Sequence, residues 1–398
     1  MVLVASTLPS ALTVDGHRGP LAALQVDFTS RTTGWALAVA EDSGARVLLR
    51  SDDAGRHWDD VTPAALRAAR MGPFQLEAPF APNGEDAWLP VARYYGRLDQ
   101  SKVLYLFATA DAGRHWHLAG RFPGSSVGSP FFLTKSTGFL ETGASAAMGE
   151  EPVQVYTTSD GGGRWEEASA SPPPGTVGGK STRISSWCDK DGISFATPHV
   201  GFATGTCRGP AVLQRTDDAG ATWEPVQLFA STNGDVATYP PVFSSPSVGA
   251  LAVDNAPEFL FAATHDGGAH WALHRLPLGA SRALSAFGAC PCGGCLDVVT
   301  AKTWVVAAGR EIYETTDGGA SWASSRSSVP LGDMAVDFVH RDVGRAWEAC
   351  GPGAWDSRSG LVYRTTDGGG TWTAYRLGGV PWCVLETGST QRVRVPSG

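Results

Sequence analysis

A closed set of small antiparallel β-sheets, nearly free of helix, is the fold class this sequence predicts, and three observations predict it. An eight-residue pattern, Ser/Thr-x-Asp-Gly/Ala-Gly-x-x-Trp, occurs seven times. Its closing tryptophans, Trp58, Trp116, Trp165, Trp223, Trp271, Trp322 and Trp372, lie 58, 49, 58, 48, 51 and 50 residues apart. A period of that size marks a repeat architecture. Between the octets run short apolar segments punctuated by turn residues, with 49 Gly and 26 Pro in 398 residues. Only Pro63 to Met71 has helical spacing, so the repeats are read as strands.

Each unit repeats one order: an apolar strand ending near Phe, a turn, a second strand opening with Gly, a loop, a third strand, the octet and a fourth strand. In the first unit these are Leu24 to Phe28, Gly34 to Val39, Arg46 to Ser51 and the residues after Trp58. The second has Ala87 to Val91 and Val103 to Thr109 as middle strands, and in the third Gly138 opens the second strand. The fourth offers Ile193 to Phe195, Gly201 to Gly205 and Val212 to Thr216. The fifth has Val242-Phe243, Gly249 to Val253 and Phe259 to Thr264. The sixth has Leu296 to Val299, Thr303 to Ala307 and Glu311 to Thr315. The seventh has Ala335 to Val339, Gly344 to Glu348 and Leu361 to Thr365.

One such unit cannot bury both faces of its twisted sheet, whereas seven in a ring can. The expectation is a single all-β domain over residues 1–398, a seven-bladed β-propeller of four-stranded antiparallel blades. The blades fall near 20–62, 74–120, 129–168, 184–228, 240–276, 294–325 and 333–378, with 379–398 as a closing segment. Residues 2–5 or 382–386 could add an edge strand where the ends meet.

The octet has a physical logic. Asp followed by Gly-Gly or Ala-Gly is turn chemistry: the carboxylate accepts backbone N–H groups just downstream, and Gly supplies positive φ. The Trp carries its ring between neighbouring sheets, with an indole N–H free to find a carbonyl. Asp53, Asp111, Asp160, Asp218, Asp266, Asp317 and Asp367 are therefore read as turn staples. One carboxylate per loop is too few for calcium, so no metal is expected.

Ser/Thr-x-Asp-x-Gly-x-x-Trp resembles the Asp-box, also called the bacterial neuraminidase repeat. Sialidases, sortilin receptors, large xyloglucanases and photosystem II assembly factors carry it. The resemblance implies a β-propeller whose boxes lie between the third and fourth strands of each blade, away from the binding face. Gly34-Trp35-Ala36 and the Thr-Thr-Asp-Gly-Gly boxes are most similar to the assembly factors and to sortilin-like seven-bladed propellers, which implies a non-enzymatic, protein-binding role. The chain lacks the Arg-Ile-Pro of sialidases, which have six blades. It also supplies one propeller where the xyloglucanases use two.

A net charge of −8 points away from nucleic acid and anionic membranes. No window approaches 18 apolar residues, so no membrane span is expected. Residues Met1 to Gly16 lack basic groups before a weak apolar run broken by Pro9, which is a poor signal peptide. Among seven cysteines, Cys188 with Cys207 and Cys350 with Cys383 are the expected disulfides. They favour an exported protein whose targeting signal is missing from this chain, although a cytosolic start would read the same way. Cys290, Cys292 and Cys295 crowd one loop without the further ligands of a zinc site. No cofactor is expected, and the chain is read as a monomer.

Strand alternation sorts the connections onto two faces. The octets share one, and the long loops share the other: Asp59 to Gln75, Ala92 to Lys102, Glu141 to Pro152, Glu166 to Gly192, Gln227 to Pro240, Arg275 to Cys292 and Glu348 to Gly360. Long loops on a rigid scaffold carry function. The ligand-binding candidates there are Tyr94, Tyr95, Trp187, Trp355 and Trp382, flat rings for sugars or apolar side chains, with Arg93, Arg208 and Arg358 for carboxylates. Tyr239 shares the face. Asp189, Glu348, Glu141 and Asp356 are weak catalytic candidates, since a glycosidase needs two carboxyls roughly 5–9 Å apart. No nucleophile elbow, phosphate loop or nucleotide fingerprint occurs. The leading expectation is a non-catalytic propeller binding a protein or glycan on its long-loop face. The alternative is a glycoside hydrolase or polysaccharide lyase using paired carboxylates over the channel.

Overall fold

The computed structural model describes residues 21–40, 44–68, 74–93, 103–123, 126–143, 150–172, 183–208, 213–228, 235–255, 258–277, 279–280, 296–332, 334–348 and 361–377. Within them the side chains of Ala68, residues 126–129, Arg208, Asp235, Glu258, Glu348 and Arg376 lie outside the description. The chain is all-β. The helix Ala64–Ala68 lies within the segment whose spacing predicted it.

Strands pair in sequence order. The first sheet runs Leu21–Phe28, Gly34–Ala40, Arg46–Ser51 and Asp59–Asp60, each antiparallel to the next. Four further sheets repeat this four-stranded order, and the last is Met334–His340, Val343–Glu348, Leu361–Thr365 and Thr373–Arg376. The fourth and fifth repeat units depart from the expectation of separate sheets. Asp235–Thr238, expected inside a loop, forms an added strand that pairs with Gly201–Arg208 on one side and Gly249–Asn255 on the other. It merges the two units into a nine-stranded sheet. The sequence Asp-Val-Ala-Thr offers only one buried aliphatic position, Val236, too little to signal a strand by periodicity.

Alternation along each second strand divides its side chains between two neighbours. Trp35 and Leu37 pack on the second sheet with Leu76, Leu89 and Val91. Ala36 and Ala38 pack on the last sheet with Ala335, Trp347 and Val362. Likewise Leu251 and Val253 face the fourth unit, and Ala250 and Ala252 face the sixth. Every sheet thus packs on the next and the last packs on the first, with the first strand, Leu21–Phe28, touching three strands of the last sheet. A closed circle of four-stranded sheets packed face to face is a β-propeller. Among the described residues the ends meet by packing and not by a shared sheet.

All seven octets fold alike. In the Thr216 copy the hydroxyl donates to Asp218 Oδ1 at 2.9 Å and accepts the Gly220 N–H at 2.9 Å. Asp218 Oδ1 also accepts the Thr222 N–H at 2.7 Å. The two residues after Asp take positive φ: 62° at Ala219 and 90° at Gly220. The Trp indole closes the plug, as Trp223 Nε1 donates to the Gly220 carbonyl at 2.9 Å. Trp116 and Trp165 reach instead to Val61 and Ala119 of the preceding units, and the buried Trp322 Nε1 has no partner among the described residues. A Phe at the end of the first strand braces the Trp edge-on: the Phe28 and Trp58 rings are 5.7 Å apart at 80°, and Phe338 and Trp372 are 6.2 Å apart at 82°. That Phe lies over the Gly opening the second strand. A Cβ at Gly34 would meet the Phe28 ring at 2.7 Å.

Candidate functional site

On the long-loop face, the strand ends of the third, fourth and fifth units converge on one set of polar groups. The segment entering the fourth unit runs across the end of the third sheet and is pinned there. Glu151 N–H donates to the Ser186 carbonyl at 2.7 Å, and Glu150 and Cys188 form an isolated parallel bridge. Glu151 Oε2 accepts the Lys190 N–H at 2.7 Å. Lys190 Nζ folds back to donate to the carbonyls of Trp187 and Cys188, both at 2.8 Å. A Cys188–Cys207 disulfide, with Cα atoms 4.7 Å apart, ties the same segment to the second strand.

These pins hold up an indole. Trp187 is 57% exposed, and its backbone N–H donates to Ser185 Oγ at 3.1 Å. Behind it the pairing of Asp189–Phe195 with Gly201–Arg208 shifts register between Lys190 and Gly192, a β-bulge. The bulge requires glycine: Gly192 has φ +127°, and a Cβ at Gly205 would meet the Asp189 carbonyl oxygen at 2.3 Å. It leaves Asp191 unpaired by the ladder, and Asp191 Oδ2 accepts the Thr206 hydroxyl at 3.1 Å. The added strand abuts this corner, where Thr238 Oγ1 accepts the Gly205 N–H at 3.3 Å.

Electrostatics set the corner apart. Glu141, in the second strand of the third sheet, is 3% exposed, and its buried Oε2 has no hydrogen-bond partner among the described residues. Burial pushes its carboxyl up to about 8; Lys190 opposes this, and Glu151 and Asp191 add to it. Burial also raises Asp191 and lowers Lys190. Tyr239, flanked by Asp254 and Asp191, is raised by burial first and by those carboxylates second. Among the described residues no group of three or more His, Cys, Asp or Glu could hold a metal ion. No helix there is long and apolar enough to cross a membrane.

The structure thus gathers Glu141, Trp187, Asp189 and the Cys188–Cys207 pair. Arg93 is elsewhere, at the end of the second sheet, with its guanidinium 5.2 Å from the Phe74 ring centre. Arg208 and Glu348 end their strands on the long-loop face, but their side chains lie outside the described residues. Tyr94, Tyr95, Cys350, Trp355, Asp356, Arg358, Trp382 and Cys383 lie wholly outside them, as do Cys290, Cys292 and Cys295. Sequence reasoning missed the roles of Glu151 and Lys190 as pins. The signal was a lysine between two aspartates, Asp189-Lys190-Asp191, beside a cysteine.

No protein-family model matches the chain. No curated protein sequence matches it either. Among solved structures it is similar to YCF48 bound to D1 peptide, at 15% identity over 84% of this chain and 93% of that one, TM-score 0.49. It is similar to the GH74 xyloglucanase from Xanthomonas campestris, at 16% identity over 87% of this chain and 64% of that one, TM-score 0.34. A polysaccharide lyase of family PL25, an ulvan lyase, is similar at 8% identity over 91% of this chain and 95% of that one, TM-score 0.44.

Proposed function

We propose that this chain is a seven-bladed Asp-box propeller that binds a protein partner through its long-loop face without catalysing a reaction, with Trp187 as the anchor. The observation that carries the reading is the exposed indole on a pinned segment: Trp187 is 57% exposed while disulfide, lysine and glutamate hold the backbone around it. A solvent-facing tryptophan on a backbone already held in place loses less entropy on association than one on a free loop, and Trp is a preferred interface anchor. The disulfide fits an exported protein. The test is a random twelve-residue peptide library selected on the unaltered protein, with the survivors re-assayed on Trp187→Ala. Loss of affinity by about tenfold or more supports the anchor. Survivors indifferent to Trp187, or no survivors, overturn it.

One observation favours a second reading, a glycoside hydrolase or polysaccharide lyase. A carboxyl raised to about 8, such as that of Glu141, stays protonated at neutral pH and can serve as a general acid. Turnover of an aryl-glycoside or polysaccharide panel that disappears in Glu141→Gln would favour this reading over the binder.

A further inference from the structure

We propose that the acidic corner beside Trp187, floored by Glu141 and rimmed by Glu151 and Asp191, takes the cationic side chain of a lysine or arginine carried by the protein partner. The inference rests on the protein-binding reading and names the chemistry of the partner.

Three independent features point to a cation. The first is charge. Besides the buried Glu141, the strand ends at this corner carry Glu150, Glu151, Asp189, Asp191 and Asp254, against Lys190 and Arg183 on the crossing segment and Arg208 at the end of its strand. The second is an acceptor held open. Glu141 Oε2 is buried and has no hydrogen-bond partner among the described residues. A lone buried carboxyl oxygen is costly to keep unless a donor reaches it. Lys190, whose charge Glu141 feels most strongly, directs its ammonium to the Trp187 and Cys188 carbonyls instead. The third is the neighbouring ring. Lys190 Nζ bonds the Trp187 carbonyl and the Lys190 N–H bonds Glu151 Oε2, so the residue bearing the exposed indole and the acidic groups share Lys190 as a neighbour. Lysine and arginine have this double nature, an apolar stem for an indole face and a charged head for carboxylates.

The alternatives fit less well. A metal ion would need several ligands at once, and the described residues do not offer such a group. A neutral glycan brings no positive charge to an acidic corner.

The groups facing the Glu141 carboxyl are Lys190, Glu151 and Asp191. A cation entering among them favours the ionised form of Glu141, so binding at neutral pH expels a proton and affinity rises as pH rises toward 8.

The experiment selects a random twelve-residue peptide library on the full chain and synthesises the best arginine-containing survivor together with its citrulline version, which keeps the shape and removes the charge. Both are titrated into wild type, Trp187→Ala and Glu141→Gln at pH 6.5 and 8.5. The expected result is a loss of about tenfold or more with citrulline on wild type. Glu141→Gln is expected to weaken the arginine peptide more at pH 8.5 than at 6.5, and calorimetry in buffers of different ionisation enthalpy is expected to show proton release. If Trp187→Ala weakens binding but citrulline binds wild type equally well, the cation inference is overturned and the anchor stands. If Trp187→Ala changes nothing, the anchor fails and the inference goes with it. The citrulline comparison uses the unaltered protein, so it decides the matter even if Glu141→Gln folds poorly.

Discussion

The guanidinium carbon of Arg345 lies 3.8 Å from the centre of the Phe28 ring, joining the last sheet to the first. Between the second and third, third and fourth, and fourth and fifth units this contact is aromatic. Trp88 stacks on Phe132 of the next sheet at 3.6 Å and 11°, and Phe139 stacks on Phe195 at 3.4 Å and 5°. Arg345 follows the opening Gly344 as Phe139 follows Gly138, so it occupies the stacking position with a cation. It also copies the tryptophan's hydrogen bond. Trp88 Nε1 donates to the Gly161 carbonyl of the next octet at 3.2 Å, and Arg345 Nη2 donates to the Ala54 carbonyl, the same octet position, at 3.1 Å.

Arg345 is 1% exposed, and burial pushes its guanidinium down to about 10, so it stays charged at neutral pH. Arg345→Ala removes the stack, the bond to Ala54 and a large buried volume. The expected loss is about 3 kcal/mol or more. Arg345→Trp can restore stack and bond together, and is expected to stay within ~1.5 kcal/mol of wild type. Chemical denaturation of both variants checks this. Equal losses would show that the contact does not close the ring.

Three inner-strand aspartates predict how stability follows pH. Phe28 N–H donates to Asp337 Oδ2 at 2.9 Å, and Phe338 N–H donates to Asp297 Oδ2 at 2.6 Å, so carboxylates link consecutive sheets. Burial raises Asp27 to about 6 and Asp297 to about 7, and raises Asp337 well above its ordinary value. Groups raised on folding hold protons that the unfolded chain has released. Stability from them is full below about pH 4 and is lost as pH rises from there through 6 and 7. The octet carboxylates act oppositely. Backbone and side-chain donors at His115 hold Asp111 down to about 2, and Ser321 does the same for Asp317, so their contribution is lost as pH falls from about 4 toward 2. Thermal scans are expected to peak on the acid side of neutrality. Asp27→Asn is expected to flatten the decline between pH 4 and 7, and an unchanged slope would rule Asp27 out as a source.

The ring was legible because its determinants are local and repeated. An octet whose Asp, Gly and Trp each answer a backbone demand reads the same in any context, and Gly34 under Phe28 is a neighbouring-strand effect within six residues. The long-loop face was legible as a surface, since strand alternation alone places Trp187, Asp189 and Glu141 there. Its working corner was not. Glu141 and Lys190 meet across two sheets, and the strand Asp235–Thr238 exists only because two neighbouring edges recruit it. Arg345 gave no sign of its role, because a charged residue in a strand pattern reads as exposed unless the ring it stacks on is known.

Two glycines with similar backbones separate strain from collision. Gly268 has φ +79° and Gly318 φ +72°, so alanine at either meets the left-handed penalty of about 1–2 kcal/mol. At Gly318 a Cβ would meet nothing within 4 Å. At Gly268 it would meet Phe202 Cζ at 2.1 Å, and Phe202 is a fully buried ring stacked on Phe243. Gly318→Ala is expected to cost about 1 kcal/mol, and Gly268→Ala about 2–3 kcal/mol more from overpacking. Paired denaturation curves measure the difference. Equal costs would mean that the fourth and fifth units give way around the added methyl.

The disulfide combines constraint and strain. Cys188 and Cys207 close a loop with a sequence separation of 19 residues, for which chain entropy gives about 3 kcal/mol. Cys188 also holds φ +79°, a left-handed conformation that a side chain adopts at a cost of about 1–2 kcal/mol. Removing the bridge with Cys188→Ala and Cys207→Ala loses the constraint and keeps the strain. Removing it with Cys188→Gly and Cys207→Ala loses the constraint and relieves the strain, so the glycine pair is expected to be the more stable of the two by up to about 1 kcal/mol. In both pairs the Lys190 amide, bonded to Glu151, is expected to exchange faster with solvent deuterium, whereas the Phe338 amide on the far side of the ring is expected to keep its protection. Exchange that speeds equally at Phe338 would mean that the bridge supports the whole circle and not the segment carrying Trp187.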